Sequence, residues 1–534
     1  MRRTAPVVLA VTLAAGLAVP AAAAPTPPAP PIPLGQVVPA PVSVHANTAV
    51  GYTLSPTSVI SYDLGNSATR QVAQWLAGQL RPSTGYPLPV VPAVPFVSLP
   101  GISLAVGGAD PSWGSEGYRL AVDNGGVHIK ANSANGVYDG VQTLLQLLPA
   151  KFAAKTAQRG PWPVAGGEIV DYPRYAYRGA VLDVARHFFT VAEVERYLDE
   201  VSRYKINYLQ LHLTDSQGWR IQIDGWPRLT SVGGSSGVSA GGVRAGYYTQ
   251  ADYEQIVRYA AARFITVIPE IEGPAHSNAA LASYAELNCD GVAAPLFQGV
   301  GPSPHEYLCL GKDITYTFLD DVIRQVAALT PGPYLSIGGD EAAGVSAADY
   351  ATYIHRVQAI VAKYGKKLVG WQESAAAIDP AGALIGLWIP DPDDTRLKAA
   401  PAAGGKLVMS PAFTAYMDMQ YAADKPAAGV GNNWAGYIEV QDAYNWDPNT
   451  VQDGVSGSGV AGVNIPLFTE YVHSPAEIDS LVFPRLPAIA ELGWSPPSTH
   501  DWNSFRTRLA AQAPYWDQTG VHFYRSPQIP WPTR

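Results

Sequence analysis

The 534-residue chain carries 35 Lys and Arg against 44 Asp and Glu, a formal net charge of −9, and no basic cluster, which excludes a surface built to neutralise nucleic-acid phosphates. Hydrophobic residues make up 47%, with 13 Trp, 29 Tyr and 12 Phe, so the chain is globular and rich in flat apolar rings of the kind that stack on sugars, although most such rings serve a core. Its length exceeds one ordinary hydrophobic core and predicts two domains, one of them large.

Two arginines open the chain, an apolar run covers 6–17, and Ala21-Ala22-Ala23-Ala24 precedes a proline-rich stretch. That is the pattern of a secretory signal peptide over 1–24, cleaved near Ala24. Pro20 and the lack of a stop-transfer flank argue against a membrane span in the mature chain. A secreted protein is expected. Residues 25–41, rich in Pro and Ala without a period, read as an extended tether.

Residues 42–165 mix short strands, among them 102–106 and 118–123, with helical stretches at 68–80 and 136–148. They predict a small α+β domain. Its acidic residues are scattered and converge on no motif, so it reads as a structural companion rather than a site.

After Tyr172-Pro173-Arg174, over 173–534, eight β-rich runs alternate with helix-like stretches: 178–184, 207–213, 266–271, 334–339, 367–372, 383–389, 406–410 and 462–468. Eight such units predict an α/β fold, a (β/α)8 barrel. Their C-terminal ends supply Asp183, Arg186 and His187, then His212 and Asp215, Glu270, Glu272 and His276, Asp340 and Glu341, Trp371 and Glu373, Trp388, Tyr416 and Asp418, and Glu470. Barrel enzymes build their sites at that end. The only cysteines, Cys289 and Cys309, are expected to form one disulfide in an exported protein. Neither has a CxxC partner or a suitably spaced histidine, so no metal site is expected, and no cofactor motif occurs.

The sharpest motif is Tyr334-Leu335-Ser336-Ile337-Gly338-Gly339-Asp340-Glu341, an apolar run that breaks at two glycines and delivers adjacent carboxylates. Neighbours on a regular strand point to opposite faces, so both can serve one site only where the strand stops. Two close carboxyls do not ionise independently, and one is held back as a general acid near neutral pH. The plainer alternative is an N-cap, with Asp340 opening a helix from Ala342. A pocket of carboxylates and aromatics without metal or nucleotide motifs points to glycoside chemistry, and adjacent carboxylates suit a scheme in which the substrate supplies its own nucleophile.

The segments 178–189 (RGAVLDVARHFF), 205–221 (KINYLQLHLTDSQGWRI), 268–276 (IPEIEGPAH) and 337–342 (IGGDEA), with Gly370-Trp371-Gln372-Glu373, Tyr416-Met417-Asp418 and Pro484-Arg485, resemble the β-N-acetylhexosaminidases of glycoside hydrolase family 20. Residues 116–149 resemble that family's zincin-like domain. The resemblance implies an exo-acting, retaining enzyme that removes terminal GlcNAc or GalNAc by substrate-assisted catalysis. It implies Glu341 as general acid and base, Asp340 on the 2-acetamido N–H and Tyr416 on its carbonyl oxygen. Arg178, Glu470 and Asp418 would bind ring hydroxyls, Trp371 and Trp388 would wall the acetamido methyl, and Asp215 and His276 would support Glu341. His212 reads as a hydrogen-bonded core histidine, and Trp219, Trp226 and Trp494 as packing residues.

Three positions depart from the family's pattern. Ser336 stands where a histidine is usual, Glu272 where an aspartate is usual, and Phe468 where a third tryptophan would complete the cage. Phe keeps an aromatic face but loses area, at a cost to binding on the order of 1 kcal/mol. Two alternatives follow: a disaccharide-releasing, lacto-N-biosidase-like member, or a secreted carbohydrate-binding protein without catalysis. Nothing in the sequence specifies an oligomeric state.

Overall fold

Two sheets organise the chain, and the reason lies in their different patterning. In the computed structural model, which describes residues 30–94, 97, 99–423 and 430–533 with Met1 and Ala5, seven short strands come first. They are β1 (Ser43–Leu54), β2 (Val59–Tyr62), β3 (Val90–Pro92), β4 (Gly101–Val106), β5 (Tyr118–Val122), β6 (Gly126–Ala131) and β7 (Trp162–Asp171), in the order β1-β7-β5-β6-β4-β2-β3. Helices Ser67–Thr84 and Ala134–Leu147 bury Leu76, Leu80, Val137, Val141 and Leu144 against them.

The second sheet closes on itself. β8 (Tyr177–Asp183) and β9 (Tyr208–His212) are followed by a small hairpin, β10 (Thr214–Asp215) and β11 (Gly218–Trp219), and then by β12 (Thr266–Gly273), β13 (Tyr334–Gly338), β14 (Lys367–Trp371), β15 (Leu384–Leu387), β16 (Lys406–Met409) and β17 (Val460–Leu467). Strands β8, β9 and β12 to β17 form a closed parallel barrel, as the eight-unit pattern predicts. Alternation along each strand sorts its side chains. On β9, Leu209 and Leu211 join the apolar shell under the helices, while Gln210 and His212 meet polar partners in the lumen. The lumen floor is apolar, built from Tyr177, Ile268, Val369, Leu384, Val408 and Ala461. Above it Glu270 accepts hydrogen bonds from Gln210 Nε2 (2.9 Å) and Ser336 Oγ (3.1 Å).

The first sheet's domain abuts the N-terminal end of the barrel. Lys205 Nζ and Trp494 Nε1 both reach Asp171, at 2.8 and 2.9 Å. Here the structure corrects one expectation. Arg178, expected at the sugar, is fully buried at this end, where it pairs with Glu116, donates to the carbonyls of Lys205 (2.8 Å) and Tyr175 (2.7 Å), and lies on Trp494. It is the second residue of its strand, so the strand's own length separates it from the functional end.

A second correction concerns 25–41. Leu34, Val37 and Val38 are buried rather than tethering. Gln146 accepts from Val38 N–H (2.9 Å) and donates to its carbonyl (2.7 Å), and Arg508 donates to the carbonyl of Val37 (2.9 Å). The prolines extend this backbone, but the apolar residues between them give it a reason to dock. Residues 25–29 and the expected signal peptide, Met1 and Ala5 apart, lie outside the described residues. Cys289 and Cys309 are bonded. Among the described residues no helix is long and apolar enough to cross a membrane.

Candidate active site

Strand β13 ends in a turn that explains its glycines. Gly338 and Gly339 have φ of 63° and 86°, and a Cβ on Gly338 would stand 1.7 Å from Glu272 Oε2. The turn presents Asp340 and Glu341 on one side; the next helix, Ala347–Lys363, is capped by Ser346, so Asp340 is not an N-cap. Glu341 itself has φ 51°, and His276, which faces it, has φ 53°. Left-handed backbone at non-glycine residues costs about 1–2 kcal/mol each, and two such residues in contact mark a site whose geometry is held by its surroundings.

The pocket at this end is lined by Arg186, His212, Asp215, Glu272, His276, Asp340, Glu341, Trp371, Trp388, Tyr416, Asp418, Trp434, Phe468 and Glu470. Every site residue expected of the barrel from the sequence, except Arg178, is among them. Arg186 takes the place expected for Arg178. It contacts Asp215 (2.8 Å), Asp183 (3.2 Å) and Glu470 (3.4 Å) and lies 5.5 Å from the Phe468 ring centre. Trp434 was not anticipated, because it enters from a loop rather than a strand end; its edge-on contacts with Trp388 and Tyr416, both at 5.9 Å, add a third indole to the cage. A lone Trp amid Gly and Asn residues is the one signal the sequence offers for it. Phe468 fills the floor between Trp371 (6.4 Å) and Tyr416 (5.5 Å). His212 is both core residue and pocket wall, held between Glu270 (3.0 Å) and Asp215 (2.9 Å). Trp219, Trp226 and Trp494 are buried away from the pocket, as expected.

The charges form a chain. Asp215 Oδ1 approaches His276 Nδ1 at 3.4 Å, and His276 Nε2 approaches Glu341 Oε2 at 3.4 Å and Asp340 Oδ2 at 3.6 Å. Burial works against charge on His276, yet Asp215, Glu341 and Asp340 hold its pKa well above the usual imidazole range. Burial likewise opposes ionisation of Asp215, but Arg186 and His276 keep it well below the usual carboxylate range. His212, despite burial, is also held high by Asp215 and Glu270. The groups His276, Asp340, Glu341 and His212, Glu270, Glu272 have ligand-type atoms within 4.8 Å of one another, and in each the neighbouring carboxylates favour the protonated imidazole.

The adjacent pair does split its pKa values, though not in the order its role as a pair suggested. The hydrogen bond from His276 lowers Glu341, whose side chain is 54% exposed. Burial, with Glu373 and Glu341 nearby, raises Asp340 to about 7. Burial also raises Asp418 to about 8, beside Glu470, and pushes Glu272 up strongly under the charge of Asp340. Burial and Asp340 keep the Tyr416 phenol neutral and able to donate.

The comparisons agree with this architecture. Residues 175–351 and 345–497 match the glycosyl hydrolase family 20 catalytic domain, and residues 35–172 match glycosyl hydrolase family 20, domain 2. A β-N-acetylhexosaminidase of Cellulomonas fimi is 40% identical over 78% of this chain and 82% of its own. Among solved structures, the family 20 β-N-acetylhexosaminidase of Streptomyces coelicolor A3(2) superposes with a TM-score of 0.89 at 50% identity, covering 94% of this chain and 100% of its own. A mutant Streptomyces plicatus β-hexosaminidase in complex with its product, GlcNAc, gives 0.89 at 51%, covering 95% and 99%. The chain is a glycoside hydrolase, and it belongs to glycoside hydrolase family 20.

Proposed function

We propose that the protein is an exo-acting β-N-acetylhexosaminidase that releases terminal GlcNAc or GalNAc with retention, the substrate's acetamido oxygen serving as nucleophile. The observation that carries this reading is the Asp340-Glu341 pair presented on one side of the β13 turn, beneath a cage of Trp371, Trp388 and Tyr416. Oxygens of the two carboxylates lie within 4.8 Å of each other and of His276, too close for the separation of about 6.5–9.5 Å that lets an inverting enzyme hold a water between them.

In this reading Glu341 gives its proton to the glycosidic oxygen as the bond from C1 breaks. The acetamido carbonyl oxygen closes onto C1 to form an oxazolinium ring. Asp340 accepts the acetamido N–H, and Tyr416 donates to the acetamido oxygen. Glu341 then takes a proton from water, whose oxygen opens the ring at C1 on the original face. Substrate binding drives the two carboxyls toward these states: the N–H donor favours the ionised form of Asp340, and a sugar covering Glu341 removes water and favours its protonated form. Arg186, Glu470 and Asp418 bind ring hydroxyls, with Arg186 in the role first given to Arg178. The pattern over 1–24 supports export, which mass spectrometry of the N-terminus in culture medium tests.

The direct test is release of the aryl group from 4-nitrophenyl β-N-acetylglucosaminide, with Glu341→Gln beside it. The expected result is turnover that falls by about 10³ in the variant; equal rates refute the assigned acid. An adjoining compartment lined by Gln217, Val300, Gly301, Pro302 and Glu306 favours, as a second reading, room for a substituted sugar. Faster release of an aryl disaccharide than of the monosaccharide would establish it.

A further inference from the structure

Phe468 and Glu470 both line the pocket, but the residue between them does not. Thr469 is fully buried and tied to the end of β8 by four hydrogen bonds. Its N–H donates to Asp183 Oδ2 (2.9 Å), its hydroxyl donates to the Asp183 carbonyl (3.2 Å) and accepts from the His187 N–H (3.3 Å), and its carbonyl accepts from His187 Nδ1 (2.6 Å). The hydroxyl is used once as donor and once as acceptor, which serine can reproduce and valine cannot.

The same Asp183 carboxylate accepts from the N–H groups of Ala185 (2.8 Å) and Arg186 (3.1 Å) and from Arg186 Nη1 (3.2 Å). One buried group outside the pocket therefore anchors both Arg186 and the strand end bearing Glu470, and those two side chains meet at 3.4 Å. We propose that Thr469, fastened between Asp183 and His187, is a positioning residue that sets the reach of Glu470 and Phe468 and so governs affinity for the hydroxyl-bearing side of the sugar. The inference rests on the reading that Glu470 binds ring hydroxyls.

The experiment compares Thr469→Val, Thr469→Ser, Glu470→Gln and the Val/Gln double variant on the aryl glucosaminide. Thr469→Val is expected to raise KM about tenfold, with kcat within about threefold of wild type, and Thr469→Ser to restore KM. The double variant is expected to match Glu470→Gln alone, a coupling that a merely structural role does not produce. If Glu470→Gln leaves KM unchanged, the hydroxyl reading fails and takes the inference with it. If Glu470→Gln raises KM while Thr469→Val does not, or if the valine penalty persists in full in the double variant, the inference alone is overturned. Should Thr469→Val not fold, His187→Phe, which removes the Nδ1 donor and keeps a ring, is read by the same criteria.

Discussion

The two ends of β8 bury one arginine each, and their surroundings differ in a way that separates scaffold from site. Arg178, at the N-terminal end, is saturated: a carboxylate, two carbonyls and an indole face take up its guanidinium. Arg186, at the C-terminal end, stands among carboxylates near which Glu272 Oε2, Asp340 Oδ1 and Asp418 Oδ1 are buried without a hydrogen-bond partner. Each such atom costs about 1–3 kcal/mol, so a cluster of them is retained where a ligand supplies the missing donors. Hydroxyls and an acetamido N–H are donors of the right kind.

Four substitutions test this division between scaffold and site. Arg178→Gln strands Glu116, whose side chain is 11% exposed, and is expected to cost about 3–5 kcal/mol of unfolding free energy in urea while leaving KM of the folded enzyme unchanged; a raised KM would return Arg178 to the site. Arg186→Gln is expected to lower kcat/KM at least about 100-fold, near 2.7 kcal/mol, with a smaller change in urea midpoint than Arg178→Gln. Asp340→Asn tests the charge reading. With a folded pKa of about 7 against 3.8, the native state binds the extra proton between these values, so stability falls as pH rises from about 4 to 7. The variant escapes that loss and is expected to be more stable than wild type by about 4 kcal/mol at pH 8, with the gain vanishing below pH 4; a pH-independent difference would refute the raised pKa. Trp434→Ala removes a ring already 48% exposed, and a KM increase of about threefold to fivefold is expected, since an exposed stacking face contributes on the order of 1 kcal/mol.

Much of the site was legible because parallel barrels place chemistry at strand ends and the eight runs could be read from hydrophobic pattern alone. Asp215, His276, Asp340, Trp371, Trp388, Tyr416 and Glu470 follow from that rule. Arg178 broke it: residue 178 is the second of its strand, whereas Arg186 lies three residues past its end. Trp434 escaped because no period marks a loop residue that folds back over a pocket. Phe468 and Ser336, two of the departures from the family pattern, each make specific contacts. The phenyl ring keeps the floor between Trp371 and Tyr416, and Ser336 gives Glu270 a hydrogen bond at 3.1 Å.

By itself the sequence determined the two-domain order, the barrel, the adjacent carboxylates and their likeness to one family, because these depend on local period, turn residues and spacing. Tertiary structure alone decided which arginine meets the pocket, which loop adds the third indole, how residues 34–41 dock, and that Asp340 rather than Glu341 is the carboxyl held near pH 7 before substrate arrives. The physical reason is common to all four. Side-chain direction at a strand end and the energy of a buried charge are set by atoms far away in the chain, such as His276 beside Glu341 and Glu373 beside Asp340.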